Sequence, residues 1–349
     1  MVVGGTLIDG TAGEPLADAA IFVRDGKFVA VTTAAKAAAL LPHAQRLDAR
    51  GKWLIPGLVD AHVHYYEWMD EALLSHGVTT VRDVGANADR ILDLRRRSRA
   101  PDAKGPRLFA CGPLIDGAAP RHGLAISVSV TTEAEAAREA RRLSALGVDC
   151  LKVYEQLALP LVRAVVEEAR RAGIPVTAHL RDTSAADALR AGVSGLEHGS
   201  GFDACDEDAS ARVARLVVER QAYVVPTLVV RERFVPDTLP CVKRFAARLA
   251  QQGGRVVAGS DSAMSRPQAG AMLHRELWLL VEAGLSPREA LRAATALAAD
   301  ALGAGSALGT VEPGKTADLV VLGGDPLASI SAVGQVDLVL RDGRVVWTR

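Results

Sequence analysis

Eight short β-rich segments, each followed by a helical pattern, constrain this chain more than any other feature. They are Gly57–His64, Val78–Val84, Arg107–Gly112, Cys150–Tyr154, Pro175–Leu180, Val193–Gly199, Ala222–Leu228 and Arg255–Asp261. Between them lie Ala/Leu/Arg/Glu-rich stretches with helical spacing, among them Glu133–Leu146, Pro160–Ala172 and Ser184–Ala191. Gly77, Gly147, Gly173 and Gly192 follow such stretches and lead into the next strand. That is where a helix C-cap falls, because glycine enters left-handed backbone without a Cβ penalty. Eight strand–helix units in about 240 residues predict an α/β fold of (β/α)8 type.

The two ends read differently. "AAIFVRDGKFVAV" near the start and "VDLVLRDGRVVWTR" at the end each place a polar Asp-Gly turn between apolar runs, a hairpin signal. Residues 1–54 and 308–349 are therefore expected to form one small β-sheet domain beside a barrel spanning 55–307. Ala34–Leu41 reads as a short helix. Ala290–Leu302 reads as helix that packs either on the barrel or on a second subunit of a homo-oligomer.

Lysine plus arginine equals aspartate plus glutamate, 41 each. No broad basic field is available to hold nucleic acid or an anionic membrane, so the partner expected is a small-molecule substrate. The cluster Arg95–Arg99 falls in a helical pattern and reads as a solvated face. No uncharged apolar run reaches the length of a membrane span, and the first residues lack the pattern of a signal peptide. The four cysteines, Cys111, Cys150, Cys205 and Cys241, form no CxxC pair. That spacing argues against a zinc ribbon or disulfide framework and favours the reducing cytoplasm.

Alternate residues of a strand share a face, so His62 and His64 point the same way at the C-terminal end of the first segment. Barrel active sites lie at that end. His179 and His198 close the fifth and sixth segments, Asp261 closes the eighth, and Lys152 sits inside the fourth. Singly, each has a structural reading: a core histidine, a snorkelling lysine, a helix cap. Their convergence on matching strand ends points instead to a shared functional site.

The motifs "PGLVDAHVH", "GVDCLKVY", "PVTAHL", "GLEHGS", "VVPTL" and "AGSDSA", with "GKTADLVVL" near the end, resemble the amidohydrolase superfamily of metal-dependent hydrolases over nearly the whole chain. The likeness is greatest to the imidazolonepropionase-like branch that includes prolidases and other dipeptidases. It implies a distorted (β/α)8 TIM barrel with a small β-sandwich domain built from both termini. It also implies two divalent metal ions, with zinc the first candidate and manganese, cobalt or iron the others. His62 and His64 would bind the more buried ion and His179 and His198 the more exposed one. Lys152, carboxylated by CO2, would bridge them. Asp261 would contact the buried ion and shuttle the proton from a bridging hydroxide to the leaving group. A protonated ammonium beside two cations would be repelled, which fits conversion of Lys152 to an anionic carbamate.

Deaminases of the superfamily usually carry a glutamate three residues after the fifth-strand histidine, where this chain has Asp182. The chain is short for the branch, so some loops are trimmed. Arg121, Arg181, Arg231 and Arg233 follow barrel strands, and arginine in a dry pocket binds a carboxylate. His122 and Tyr154 are the expected substrate contacts, His122 by its likeness to a dipeptidase histidine. The first reading is a binuclear hydrolase of the amide bond in a dipeptide or N-acyl amino acid. The alternatives are an esterase, lactonase or organophosphate hydrolase on the same metals, a mononuclear deaminase or cyclic amidohydrolase, and a non-catalytic binding module.

Overall fold

The computed structural model describes residues 1–40, 45–263 and 268–349. The N-terminal strands are β1 (Val2–Leu7), β2 (Leu16–Arg24), β3 (Lys27–Thr33), β4 (Leu47–Asp48) and β5 (Trp53–Pro56). Barrel strands follow as β6 (Leu58–Val63), β7 (Val78–Asp83), β8 (Arg107–Ala110), β9 (Leu114–Asp116), β10 (Ser127–Ser129) and β11 (Leu151–Val153). The series continues with β12 (Val176–Ala178), β13 (Gly195–Glu197), β14 (Tyr223–Val225) and β15 (Arg255–Val256), and ends in β16 (Leu319–Leu322), β17 (Val336–Arg341) and β18 (Arg344–Thr348). All eight strands expected from the sequence are present, with helices Glu133–Ala145, Leu159–Ala172 and Ala185–Ala191 between them.

The strands from both ends of the chain form one sheet in the order β18-β17-β16-β5-β1-β2-β3, with β4 beside β1. Register shifts interrupt the β1–β2, β2–β3, β16–β17 and β17–β18 ladders. Such irregularities bend strands, and the sheet closes into a sandwich over a core that includes Leu7, Ile21, Phe28, Leu54, Leu319 and Leu340. Both hairpins form at the Asp-Gly pairs read from the sequence. Asp25 and Gly26 have φ of 51° and 75°, and Asp342 and Gly343 have φ of 50° and 73°. Positive φ at both turn residues matches the right-handed twist of the flanking strands.

The barrel is ordered in two sheets, β6-β7-β8 and β10-β9-β11-β12-β13-β14-β15. It closes on one side where Ala61 N–H donates to Ala258 O at 3.1 Å and Asp261 N–H to His62 O at 2.7 Å. On the other side Asp149 N–H reaches Ala110 O at 2.8 Å. The segment Leu114–Ala125, read from sequence as a long loop, begins as strand β9, parallel to β11 with Leu114 opposite Lys152. No helix follows β9 directly, since β10 comes next, so the strand–helix repeat does not mark it in the sequence.

The cysteine expectation is overturned. Cys111 pairs with Cys150 and Cys205 with Cys241, at Cα separations of 4.4 and 4.9 Å. The first pair staples the seam beside β8 and β11. Cys111 follows β8 and Cys150 precedes β11 with two strands and a helix between them, and Cys205 lies in a loop facing Cys241 on the helix Leu239–Gln251, so only the tertiary fold brings either pair together. Each closed loop spans 39 or 36 residues, a length worth about 3–4 kcal/mol in the chain-entropy account. With both pairs formed, the cysteine argument for a reducing compartment falls away. Among the described residues no helix is long and apolar enough to cross a membrane.

The helix foreseen at Ala34–Leu41 runs Ala34–Leu40, and Leu41 lies outside the described residues. The Ala290–Leu302 stretch buries Ala290, Leu291, Ala293, Ala298 and Leu302 within the chain. Val59 N–H donates to Ala294 O at 2.7 Å, docking the stretch on β6. The arginine cluster is an ion-paired surface, with Arg95 and Arg99 on Asp149 and Arg96 and Arg97 on Asp93.

The helix Ala271–Ala283 buries one carboxyl, Glu276. Its Oε2 accepts from Val229 N–H at 2.8 Å, while Oε1 has no partner among the described residues. Burial pushes the carboxyl up to about 8 against the pull of the Val229 and Leu228 amides. The folded chain therefore keeps a proton that the unfolded chain releases above its ordinary value of 4.5, so stability falls as pH climbs through that window. Glu276→Gln removes the slope. Urea denaturation is expected to find variant and wild type alike near pH 5 and the variant more stable by about 3 kcal/mol near pH 8. An equal loss at both pH values contradicts this account.

Candidate metal centre

His62 lies within β6, buried at 1% exposure, and His64 follows the strand's last residue. His62 Nε2 and His64 Nε2 approach Asp261 Oδ1 at 3.4 and 3.3 Å. One ligand atom from each of these three residues lies within 4.8 Å of the others, so together they can hold a metal ion. Among the described residues this is the group with that geometry.

His179 and His198 join the cluster by ring contact. The His198 ring centroid lies 4.6 Å from that of His62 and 4.5 Å from that of His179. Lys152 comes up from β11, 1% exposed, and its Nζ has no hydrogen-bond partner among the described residues. His179 Nδ1 is likewise buried and unpartnered. Buried polar atoms are rarely left unpaired, since each costs about 1–3 kcal/mol. Two such atoms beside four imidazoles and a carboxylate suit the nitrogen and oxygen ligands that zinc and its neighbours take.

The protonation states agree. Burial lowers the Lys152 ammonium to about 8, only partly offset by Glu197. Burial, then the charges of Lys152 and His62, lowers His179 to about 3. Burial and the adjacent His179 and His62 hold His198 well below the ordinary imidazole value. Burial alone would raise Asp261, yet His62 and His64 hold it well below the usual carboxylate range. Neutral imidazoles at His179 and His198 and an anionic carboxylate at Asp261 are forms that bind metal, while at His64 burial is outweighed by Asp261 and Asp83, which raise its pKa.

Three residues here have left-handed backbone: His198 at φ 60°, Thr227 at 46° and Asp261 at 52°. Non-glycine residues seldom adopt it, and such strain collects at functional sites. At His198 it has a visible result. Strand alternation would send Glu197 and His198 to opposite faces. The turn at His198 instead brings its ring to the cluster, while Glu197 stays inside the barrel. His198 Nδ1 lies 2.7 Å from Thr227 Oγ1, leaving Nε2 open.

Sequence reasoning missed the supporting shell. Glu197 Oε2 lies 2.6 Å from His62 Nδ1, and Oε1 accepts from Arg82 at 2.7 Å and from Thr177. Arg82 also donates to Ala61 O at 2.7 Å and Tyr223 Oη at 2.5 Å. Burial would raise the Glu197 carboxyl, but Arg82, Lys152 and His62 hold it well below its usual range. An anionic Glu197 accepts the Nδ1 proton of His62 and so keeps the Nε2 lone pair toward the cluster. The signal was present in "GLEHGS", where an acid sits inside an otherwise buried strand.

His122 and Tyr154 meet near the cluster, with His122 Nε2 at 2.8 Å from Tyr154 Oη and the Tyr154 ring 4.8 Å from His179. Arg121 and Arg181 both pair with Glu155. Arg233 donates to Gln268 Oε1 at 2.7 Å on the surface. Arg231 donates to His198 O and, at 2.9 Å, to Thr238 Oγ1. Asp182 is exposed and pairs with Arg181 at 3.0 Å.

A (β/α)8 barrel whose strand ends carry a histidine–histidine–aspartate group able to hold a metal defines a class of barrel hydrolases. The chain belongs to the amidohydrolase family, whose model matches residues 53–346, and is a hydrolytic enzyme. It is 29% identical to an uncharacterized protein of Mycobacterium tuberculosis over 336 residues, covering 84% of this chain and 85% of that one. It is 27% identical to the imidazolonepropionase of Symbiobacterium thermophilum over 407 residues, covering 96% of this chain and 92% of that one. A prolidase solved with N-methylphosphonate-L-proline superposes with a TM-score of 0.83 at 27% identity, covering 100% of this chain and 99% of that one.

Proposed function

We propose that the enzyme cleaves the amide bond of a dipeptide or N-acyl amino acid that ends in a free carboxylate, at a site holding two divalent ions. The observation that carries the binuclear reading is Lys152, an amine buried without a partner whose charge acts on His179 and His198. With its pKa lowered to about 8 by burial, about a tenth of it is unprotonated at pH 7, far more than of an ordinary lysine, and that fraction is able to attack CO2. The C–N bond forms, one proton leaves, and the product is an anionic carbamate with two ligand oxygens. His62, His64 and Asp261 would hold the more buried ion, His179 and His198 the more exposed one, with Lys152 shared.

Metal ions in such a site lower the pKa of water toward neutrality and polarise the substrate carbonyl. Asp261, held anionic, takes the proton of the attacking water and delivers it to the leaving nitrogen. The His122–Tyr154 pair stands beside His179 to hydrogen-bond the substrate. Glu197 keeps His62 in one tautomer throughout.

The carboxylate preference rests on Arg231. Arg121 and Arg181 share the Glu155 carboxylate, whereas Arg231 has only neutral oxygens as partners. Burial, with no opposing charge, pulls its pKa down. Its guanidinium spends three of five N–H groups on His198 O and Thr238 Oγ1, leaving two for an incoming carboxylate. Arg231→Met is expected to raise KM for free-acid dipeptides at least about tenfold while leaving the matching carboxamides unchanged. Steady-state kinetics on paired acid and amide substrates reads this. An equal loss for both members of each pair would reduce Arg231 to a support for His198. The deaminase reading has less to stand on, since Asp182 faces solvent and its oxygen is spent on Arg181.

A further inference from the structure

A basic cleft lies at the other end of the barrel. Metal-group residues gather at the C-terminal ends of the strands, whereas Arg107 opens β8 at its N-terminal end. Beside Arg107, between the terminal sheet and the barrel, runs a cleft of about 600 Å³. That is within the ordinary range for small-ligand sites, roughly 300–1,000 Å³. Its lining carries six basic side chains, Arg24, Lys27, Arg99, Arg107, Arg341 and Arg344, against two acidic ones, Asp25 and Asp342.

The concentration of charge follows from the fold. The two Asp-Gly hairpin turns abut each other. A Cβ on Gly26 would come 3.2 Å from Asp342 O, and one on Gly343 would come 3.2 Å from Gly26 Cα. Ala317 links the turns, its N–H donating to Gly26 O and its carbonyl accepting from Gly343 N–H, each at 2.8 Å. In both hairpins the residues flanking the Asp-Gly pair are basic: Arg24 and Lys27 in one, Arg341 and Arg344 in the other. Contact between the turns therefore sets four cations along one cleft.

Three of the six, Arg99, Arg107 and Arg341, have carboxylate partners within the protein, and Arg24, Lys27 and Arg344 have none among the described residues. Arg107 takes Asp318 at 2.6 Å and Asp342 at 2.5 Å, and Arg99 takes Asp149 at 3.1 Å. Arg24 has no ion-pair partner among the described residues, Lys27 donates to Gly314 O at 3.0 Å, and Arg344 donates to Pro101 O at 2.7 Å. Arg341 is 4% exposed. Its terminal nitrogens donate to the carbonyls of Ser98 and Gly105, but Nε has no hydrogen-bond partner, and the nearest carboxylate oxygen, on Asp342, is 3.6 Å away. A buried guanidinium N–H without an acceptor is costly unless an anion supplies one. Val23 and Val346 add apolar wall at the same cleft.

We propose that this cleft binds a phosphorylated small molecule carrying at least two negative charges, of the diphosphate type. Guanidinium groups match phosphate oxygens in geometry as well as charge. The proposal is independent of the reaction at the metal centre.

Isothermal titration of the intact metal-loaded enzyme with inorganic pyrophosphate, and separately with ADP, tests it. The expected result is saturable binding of one pyrophosphate per chain, weakened at least tenfold in Arg24→Glu/Arg344→Glu, whose two positions are exposed strand ends beside the turns. Binding must survive in His198→Ala, because pyrophosphate also ligates metals. Tighter binding of ADP than of pyrophosphate would assign the apolar wall to the nucleoside. Absence of saturable binding overturns the proposal. So does equal binding in the double variant, or a loss confined to His198→Ala.

Discussion

Lys152→Ala is expected to cut kcat/KM by roughly 10³-fold or more and to lower the metal content from two ions per chain to one or none. Elemental mass spectrometry on protein purified without chelator reads the stoichiometry. Carbon-13 NMR after equilibration with labelled bicarbonate should show one carbamate signal in the wild type that the variant lacks. The fold should survive. Removing a buried Nζ that has no partner relieves a desolvation cost, which offsets the loss of the aliphatic stem's packing. An equal metal content in variant and wild type, at one ion per chain, would remove Lys152 from the centre. The mononuclear deaminase or cyclic amidohydrolase would then become the better reading.

The second large effect is at Asp261. Asp261→Asn keeps the shape of the side chain but cannot accept the proton, and kcat is expected to fall by about 10²–10⁴-fold with KM little changed. Asparagine is the informative substitution here. The backbone at Asp261 is left-handed, φ 52°, which asparagine tolerates and alanine does not. Because His62 and His64 hold the Asp261 carboxyl well below its usual range, despite burial, it is anionic at every working pH. The acid limb of the kcat profile should therefore not move to follow a carboxylate of ordinary pKa. A variant with kcat near wild type would assign the proton shuttle to another group.

Much of the barrel was legible because its signal is local. Short β-rich runs alternating with helical stretches marked the strands, and glycines such as Gly173 and Gly192 marked the helix ends, where both are left-handed. The Asp-Gly pairs marked both terminal hairpins because positive φ is needed there and few residues supply it. His62 and His64 were visible as a pair since strand geometry alone puts i and i+2 on one face. Features that depended on distant partners were hidden. Cys111 and Cys150 are brought together across the β8–β11 seam, with β9, β10 and a helix between them in the chain, not by spacing. Strand β9 is three residues long and is held by its register against β11. Glu197 read as one acid in an apolar strand until Arg82, Thr177 and His62 were placed around it.

The sequence by itself determined the alternation of strand and helix, the two hairpin turns, and the chemical types able to meet at the strand ends. These follow from backbone preferences and side-chain period, which act over a few residues. Only the tertiary structure decided which carboxylate faces which cation. Arg121 and Arg181 share Glu155 while Arg231 is left without an acid, and two turns over 300 residues apart in the chain meet to line one cationic cleft. Electrostatic pairing depends on separation in space and on exclusion of water, and neither is encoded in the distance along the chain.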